Sequence, residues 1–83
     1  MDKFSPYIDE LHKMMECQDE KWGPDRDHSM PLWLTILSEE FGEVGRAILD
    51  KDLDNLKAEL IDLASLCIQI RRSLDVHPDT KFR

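Results

Sequence analysis

The residues of this 83-residue chain best suited to chemistry are acids standing where a helix should be apolar. The stretch "LSEEFGEVGRAI", residues 37 to 48, carries Glu39, Glu40 and Glu43. Wound at about 100° per residue with Ile36 at zero, its neighbourhood has one apolar arc. Leu32, Trp33, Leu37, Val44, Ala47 and Ile48 span about −40° to about +120°. Glu40 falls mid-arc at about 40°, Glu43 inside it at about −20°, and Glu39 on its margin at about −60°. The pattern recurs downstream. With Glu59 at zero, Leu56, Leu60, Leu63, Leu66, Cys67, Ile70 and Leu74 lie between about −20° and about +100°. Glu59 is therefore inside that stripe, and Asp62 sits at its edge near about −60°.

Acids on a single helix are by default a solvated face. Here two consecutive helices, joined by a short turn and so expected to pack antiparallel, each carry an acidic pair on the facing side. Glu40/Glu43 and Glu59/Asp62 then converge on one space. Buried together they would lose hydration and repel one another, so either some stay protonated or a cation lies among them. An all-oxygen set without His or Cys suits Mg²⁺ or Mn²⁺. Two rival metal patterns fail. Asp50, Asp52 and Asp54 start an EF-hand-like spacing, but Asn55 stands where glycine is needed and Ile61 where the last glutamate should be. A ferritin-like di-iron site needs Glu-x-x-His, and no histidine stands three residues after Glu39, Glu40, Glu43 or Glu59.

Three helices must position these acids. "SP" opens the first, with Ser5 as N-cap, and Phe4, Ile8, Leu11 and Met15 mark its stripe over about 5–20. "KWGPDRDHSMP" is a loop. Ser29 or Met30 caps a second helix of about 30–50, with Pro31 in its first turn. Asp52 or Asp54 caps a third over about 53–74, and a loose tail fills 75–83. Ile61, Ala64 and Ile68 form a second apolar patch on the far side of the third helix, for which another subunit is the expected cover. No segment alternates with period two. The expected fold is all-α, a single domain of three principal helices forming a bundle completed by dimerisation.

Composition narrows the function. Charged residues at 35% and hydrophobic ones at 41% describe a folded chain. A formal net charge of −7 argues against binding a nucleic acid polymer, which needs a basic face. There is no apolar run for a membrane span, and "MDKFSPYIDE" has no signal-peptide core. With Cys17 and Cys67 far apart and no CxxC, the expectation is a reducing cytoplasm and two thiols used as small hydrophobes.

"EEFGE", fifteen residues and then "ELID" resembles the E-E-x-x-E … E-x-x-D pattern of the MazG-like all-α nucleoside triphosphate pyrophosphohydrolases. "QDEKWGPDRDHS" is similar to the Trp-containing loop before that family's second helix, so the likeness covers residues 18 to 62. The resemblance implies a homodimer or homotetramer that cleaves a nucleotide between its α- and β-phosphates, with Mg²⁺, giving a monophosphate and pyrophosphate. It implies Glu40, Glu43, Glu59 and Asp62 as metal ligands and Glu39 as the acid that orients or deprotonates water. The family usually adds a fourth helix, whereas about nine residues follow the third here, so the resemblance implies a complete substrate pocket only where a partner chain supplies that wall.

Lys21, Trp22 and His28 in the loop are candidate substrate-binding residues: a phosphate contact, a base-stacking or pocket-lining ring, and a substrate contact. Each has a plainer role open to it: a surface lysine, a ring plugging the loop onto the core, a loop or helix-cap histidine. Arg46 reads as an i, i+3 ion pair with Glu43, and Arg71 and Arg72 as solvated residues near a helix end. Trp33, Met14, Met15 and Met30 read as packing. The alternative functions are a non-catalytic helical dimerisation module with a vestigial acidic site, and a metal-dependent phosphohydrolase of another pyrophosphate compound. Base and sugar preference cannot be read from these residues.

Overall fold

The computed structural model describes residues 2–78, and all regular structure among them is helical. Helix α1 spans Ser5–Trp22, α2 spans Met30–Leu49 and α3 spans Leu53–Val76. The caps explain the boundaries. Ser5 is the first residue of α1 and not its N-cap; the N-cap position is Phe4, which makes no side-chain cap bond. Asp2 Oδ1 instead accepts from the backbone N–H groups of Phe4 at 2.9 Å and Ser5 at 3.1 Å in the turn that leads into the helix. Gly23 ends α1 at φ +90° and ψ 150°, backbone that only glycine adopts without strain. Ser29 Oγ accepts from Leu32 N–H at 3.4 Å to open α2, and Asp52 Oδ1 accepts from Asn55 N–H at 3.2 Å to open α3.

Between α2 and α3 the chain reverses in three residues, Asp50 to Asp52, with Lys51 at φ 55° in the left-handed region. Trp33, at the start of α2, donates its indole N–H to Ser73 Oγ near the end of α3 at 3.3 Å. Glu43, further along α2, lies beside Glu59 near the start of α3. The two helices are thus antiparallel, as the short turn requires. α3 continues through Val76, two residues past the boundary read from the sequence, and residues 79–83 of the expected tail lie outside the described residues.

α3 is the central element. It packs against α2 on one side and α1 on another, while α1 and α2 do not pack together. The fully buried apolar core is small: Trp33, Val44, Ala47 and Leu66. Its radius of gyration is 14.0 Å, where a closely packed domain of this length has about 12 Å. The α1–α3 contact is partly polar. Ser65 Oγ donates to Gln18 Oε1 at 2.9 Å, and Gln69 Nε2 donates to both Gln18 Oε1 and Ser65 Oγ. α1 thus meets α3 through Ser65 and Gln69, while Ile68 of the second apolar patch stays exposed.

Two further expectations change. Cys17 and Cys67 are unpaired but exposed, so within one chain neither is a buried hydrophobe. Large apolar side chains also stay in the open. Leu34, Phe41 and Ile48 on α2 are exposed at intervals of seven residues, and so are Leu53, Leu60 and Cys67 on α3.

Candidate metal centre and the cavity beside it

Antiparallel packing carries the acids of α2 and α3 to the same level. One carboxylate oxygen each from Glu40, Glu43 and Glu59 lies within 4.8 Å of the others. Glu40 and Glu59 are half-buried and Glu43 is exposed, so the cluster opens to solvent on one side. Glu40 Oε1 and Glu59 Oε2 are buried and have no hydrogen-bond partner among the described residues. Two ionised carboxylates cannot bond one another, because neither has a hydrogen to donate. A proton resolves this. Burial first, then a hydrogen bond to Glu59 and the charges of Glu59, Glu43 and Asp62, push the Glu40 carboxyl up to about 8. Asp62 is raised as well, by burial and then by the charge of Glu43.

A divalent cation is the other way to satisfy the same atoms, and the residues fit one. Oxygens at about 2.0–2.6 Å from a shared ion stand no more than about 4–5 Å apart, which matches this cluster's span. Every donor is a hard carboxylate oxygen, and Glu40 and Glu59 each hold a buried oxygen without a hydrogen-bond partner among the described residues. Three of the four expected ligands are thus brought together. Asp62 stands beside them, close enough to feel Glu43, but is not a member of the tight cluster.

A cavity of about 640 Å³ adjoins the acids, a size suited to a small-molecule ligand. Glu39, Glu40 and Asp62 line it at the acidic end. α1 and the loop contribute Gln18, Trp22, Arg26 and His28, while Trp33, Leu66 and Gln69 supply packed and polar wall. The gap exists because α1 and α2 each lean on α3 and not on one another.

Of the loop candidates, Trp22 and His28 line this cavity and Lys21 does not. Lys21 Nζ instead sits 5.1 Å from the centre of the Trp22 ring, a cation–π contact with a ring that is 60% exposed. The His28 ring meets Trp33 edge-on, with centroids 4.7 Å apart. Trp33 is core, 2% exposed, as expected. Arg46 pairs with Asp50 at 3.2 Å, an i, i+4 contact, and not with Glu43. Arg71 pairs with Asp75 at 2.8 Å and Arg72 with Asp25 at 2.8 Å.

Gln18, Arg26 and Gln69 were missed by the sequence reading. One signal was available: Gln69 follows Asp62 by seven residues and so shares its side of the helix. Arg26 lies in an aperiodic loop and gives none. Comparison with protein-family models, curated proteins and solved structures gave no match to this chain.

Proposed function

We propose that this chain is a Mg²⁺-dependent nucleoside triphosphate pyrophosphohydrolase of the MazG-like kind, working on the nucleotide pool. The observation that carries the reading is the carboxylate cluster of Glu40, Glu43 and Glu59, with its orphaned oxygens, at the rim of a cavity that also presents Trp22 and His28. Glu40, Glu43 and Glu59 would hold the ion, with Asp62 joining them. Bound there, Mg²⁺ would neutralise phosphate charge and sharpen a water nucleophile. Glu39, exposed yet lining the cavity, is placed outside the ligand cluster and would take the water's proton. The Trp22 face offers a surface for a base to stack on.

Catalysis on this reading belongs to a homodimer. The seven-residue spacing of Leu34, Phe41 and Ile48, and of Leu53, Leu60 and Cys67, is that of helix–helix seams, and the chain's own core is too small to use them. A panel of ribo- and deoxyribonucleoside triphosphates with Mg²⁺, with pyrophosphate and orthophosphate measured separately, tests the activity. Release of pyrophosphate and a monophosphate is the expected result. A clean preparation that cleaves nothing in the panel leaves a non-catalytic dimerisation module as the reading.

A further inference from the structure

We propose that Arg26 is a substrate-binding residue of the 640 Å³ cavity, its guanidinium holding the part of the nucleotide's phosphate chain that the metal does not. This rests on the pyrophosphohydrolase reading and adds to it a residue outside the acidic motifs. The cavity presents a charge problem. Glu39, Glu40 and Asp62 line it, and Glu43 stands close by, yet the proposed substrate is a polyanion. A single metal site offsets only part of that repulsion. Among the described residues that line this cavity, Arg26 is the one arginine or lysine.

The competing cations are occupied elsewhere. Arg46, Arg71 and Arg72 are tied to Asp50, Asp75 and Asp25, and Lys21 lies over the Trp22 ring without lining the cavity. Arg26 is different. It is half-buried and makes no hydrogen bond or ion pair with any described residue. Burial holds its pKa below the usual arginine value, and the charge of Asp19 offsets part of that. A guanidinium carries five N–H donors in a planar fork that matches phosphate oxygens two at a time. Leaving such a group partly desolvated and unpartnered is unfavourable unless a ligand completes it. Arg26 also lines a second, smaller cavity of about 270 Å³, so it borders both.

The test compares the parent with Arg26→Ala and Arg26→Lys in three measurements: nucleotide cleavage with Mg²⁺, pyrophosphate binding by calorimetry, and the Mg²⁺-induced rise in Tm. Arg26→Ala should raise KM about tenfold to a hundredfold and weaken pyrophosphate binding to match, the scale of a charged hydrogen bond. The Mg²⁺-induced rise in Tm should be unchanged, because Arg26 holds no metal. Arg26→Lys should recover part of the loss, since a point charge replaces the fork. Unchanged KM and pyrophosphate affinity in a folded Arg26→Ala would overturn the proposal. So would loss of the Mg²⁺ response together with binding, which marks a merely structural residue. If Arg26→Ala does not fold, Arg26→Lys decides: a raised KM supports the assignment and a parental KM overturns it. A parent that cleaves no nucleotide sinks the hydrolase reading, and this inference with it, before any variant is made. A parent that cleaves while both variants match it sinks Arg26 alone.

Discussion

Glu40→Gln probes the acidic cluster most directly, because one substitution removes a charge and keeps the shape. In the folded chain the Glu40 carboxyl is pushed from an ordinary 4.5 up to about 8, by burial before anything else. Between those values the folded chain keeps a proton that the unfolded chain has released. Stability from this group is therefore full below the unfolded value and is lost as pH rises toward about 8. Each pH unit crossed costs about 1.4 kcal/mol, which sets an upper bound of about 5 kcal/mol. Solvent entering past the exposed Glu43 screens the repulsion, and about 2 kcal/mol is the expected loss. Glutamine resembles the protonated acid, can donate to Glu59 and has no proton to lose. The variant should match the parent near pH 5. At about pH 8 it should exceed the parent by about 2 kcal/mol, or roughly 8–16 °C in Tm for a domain of this size. The assay is urea unfolding in chelator across this range, at fixed protein concentration so that association does not shift the result. Mg²⁺ should then flatten the parent's profile by taking the proton's place, and leave the variant's unchanged. Parallel profiles for parent and variant in chelator would refute the reasoning.

Glu39→Gln should lose about 10²- to 10⁴-fold in turnover while keeping its Mg²⁺-induced rise in Tm, whereas Glu43→Gln should lose both. Equal loss of the Mg²⁺ response in the two variants would move Glu39 among the ligands. Phe41→Ala should weaken the homodimer, read by light scattering on dilution. Phe41 is 71% exposed in one chain, so in a monomer the change would stay within about 0.5 kcal/mol and leave the mass unaltered. Gly23→Ala should cost about 1–3 kcal/mol in thermal unfolding, through backbone strain alone, since an added Cβ meets nothing within 4 Å. A negligible shift would show that this turn relaxes freely.

The second and third helices were legible because two independent signals agree there. Apolar spacing gave the faces, and capping residues gave the starts to within two residues, Ser29 or Met30 and Asp52 or Asp54, of which the structure uses Ser29 and Asp52. The convergence of Glu40, Glu43 and Glu59 followed from the same spacing plus a turn too short for anything but an antiparallel pair. Other features were not legible, for identifiable reasons. Ser5 is a good capping type, but the helix begins on it, and the chain before it turns on hydrogen bonds to Asp2 that periodicity does not show. Periodicity puts Ile48 and Leu60 on apolar faces but does not say what will cover them. The cavity depends on α1 and α2 standing apart, a tertiary relation that no local pattern encodes. Asp62 was expected inside the ligand cluster and stands at its side; an edge position on a helical wheel does not fix how far the side chain reaches.

The two tryptophans sit in opposite circumstances, and that contrast makes them a matched pair of optical reporters. Trp33 is sealed in the core with its indole N–H bonded to Ser73, while Trp22 is mostly open and forms part of the cavity wall. A water-soluble quencher will reach Trp22 and spare Trp33 for as long as the fold holds. Red-edge emission then follows events at the cavity, and the blue, unquenched fraction follows the integrity of the helix pair. Occupation of the cavity and loss of structure, usually confounded in a single fluorescence trace, become separable in this chain without adding any label.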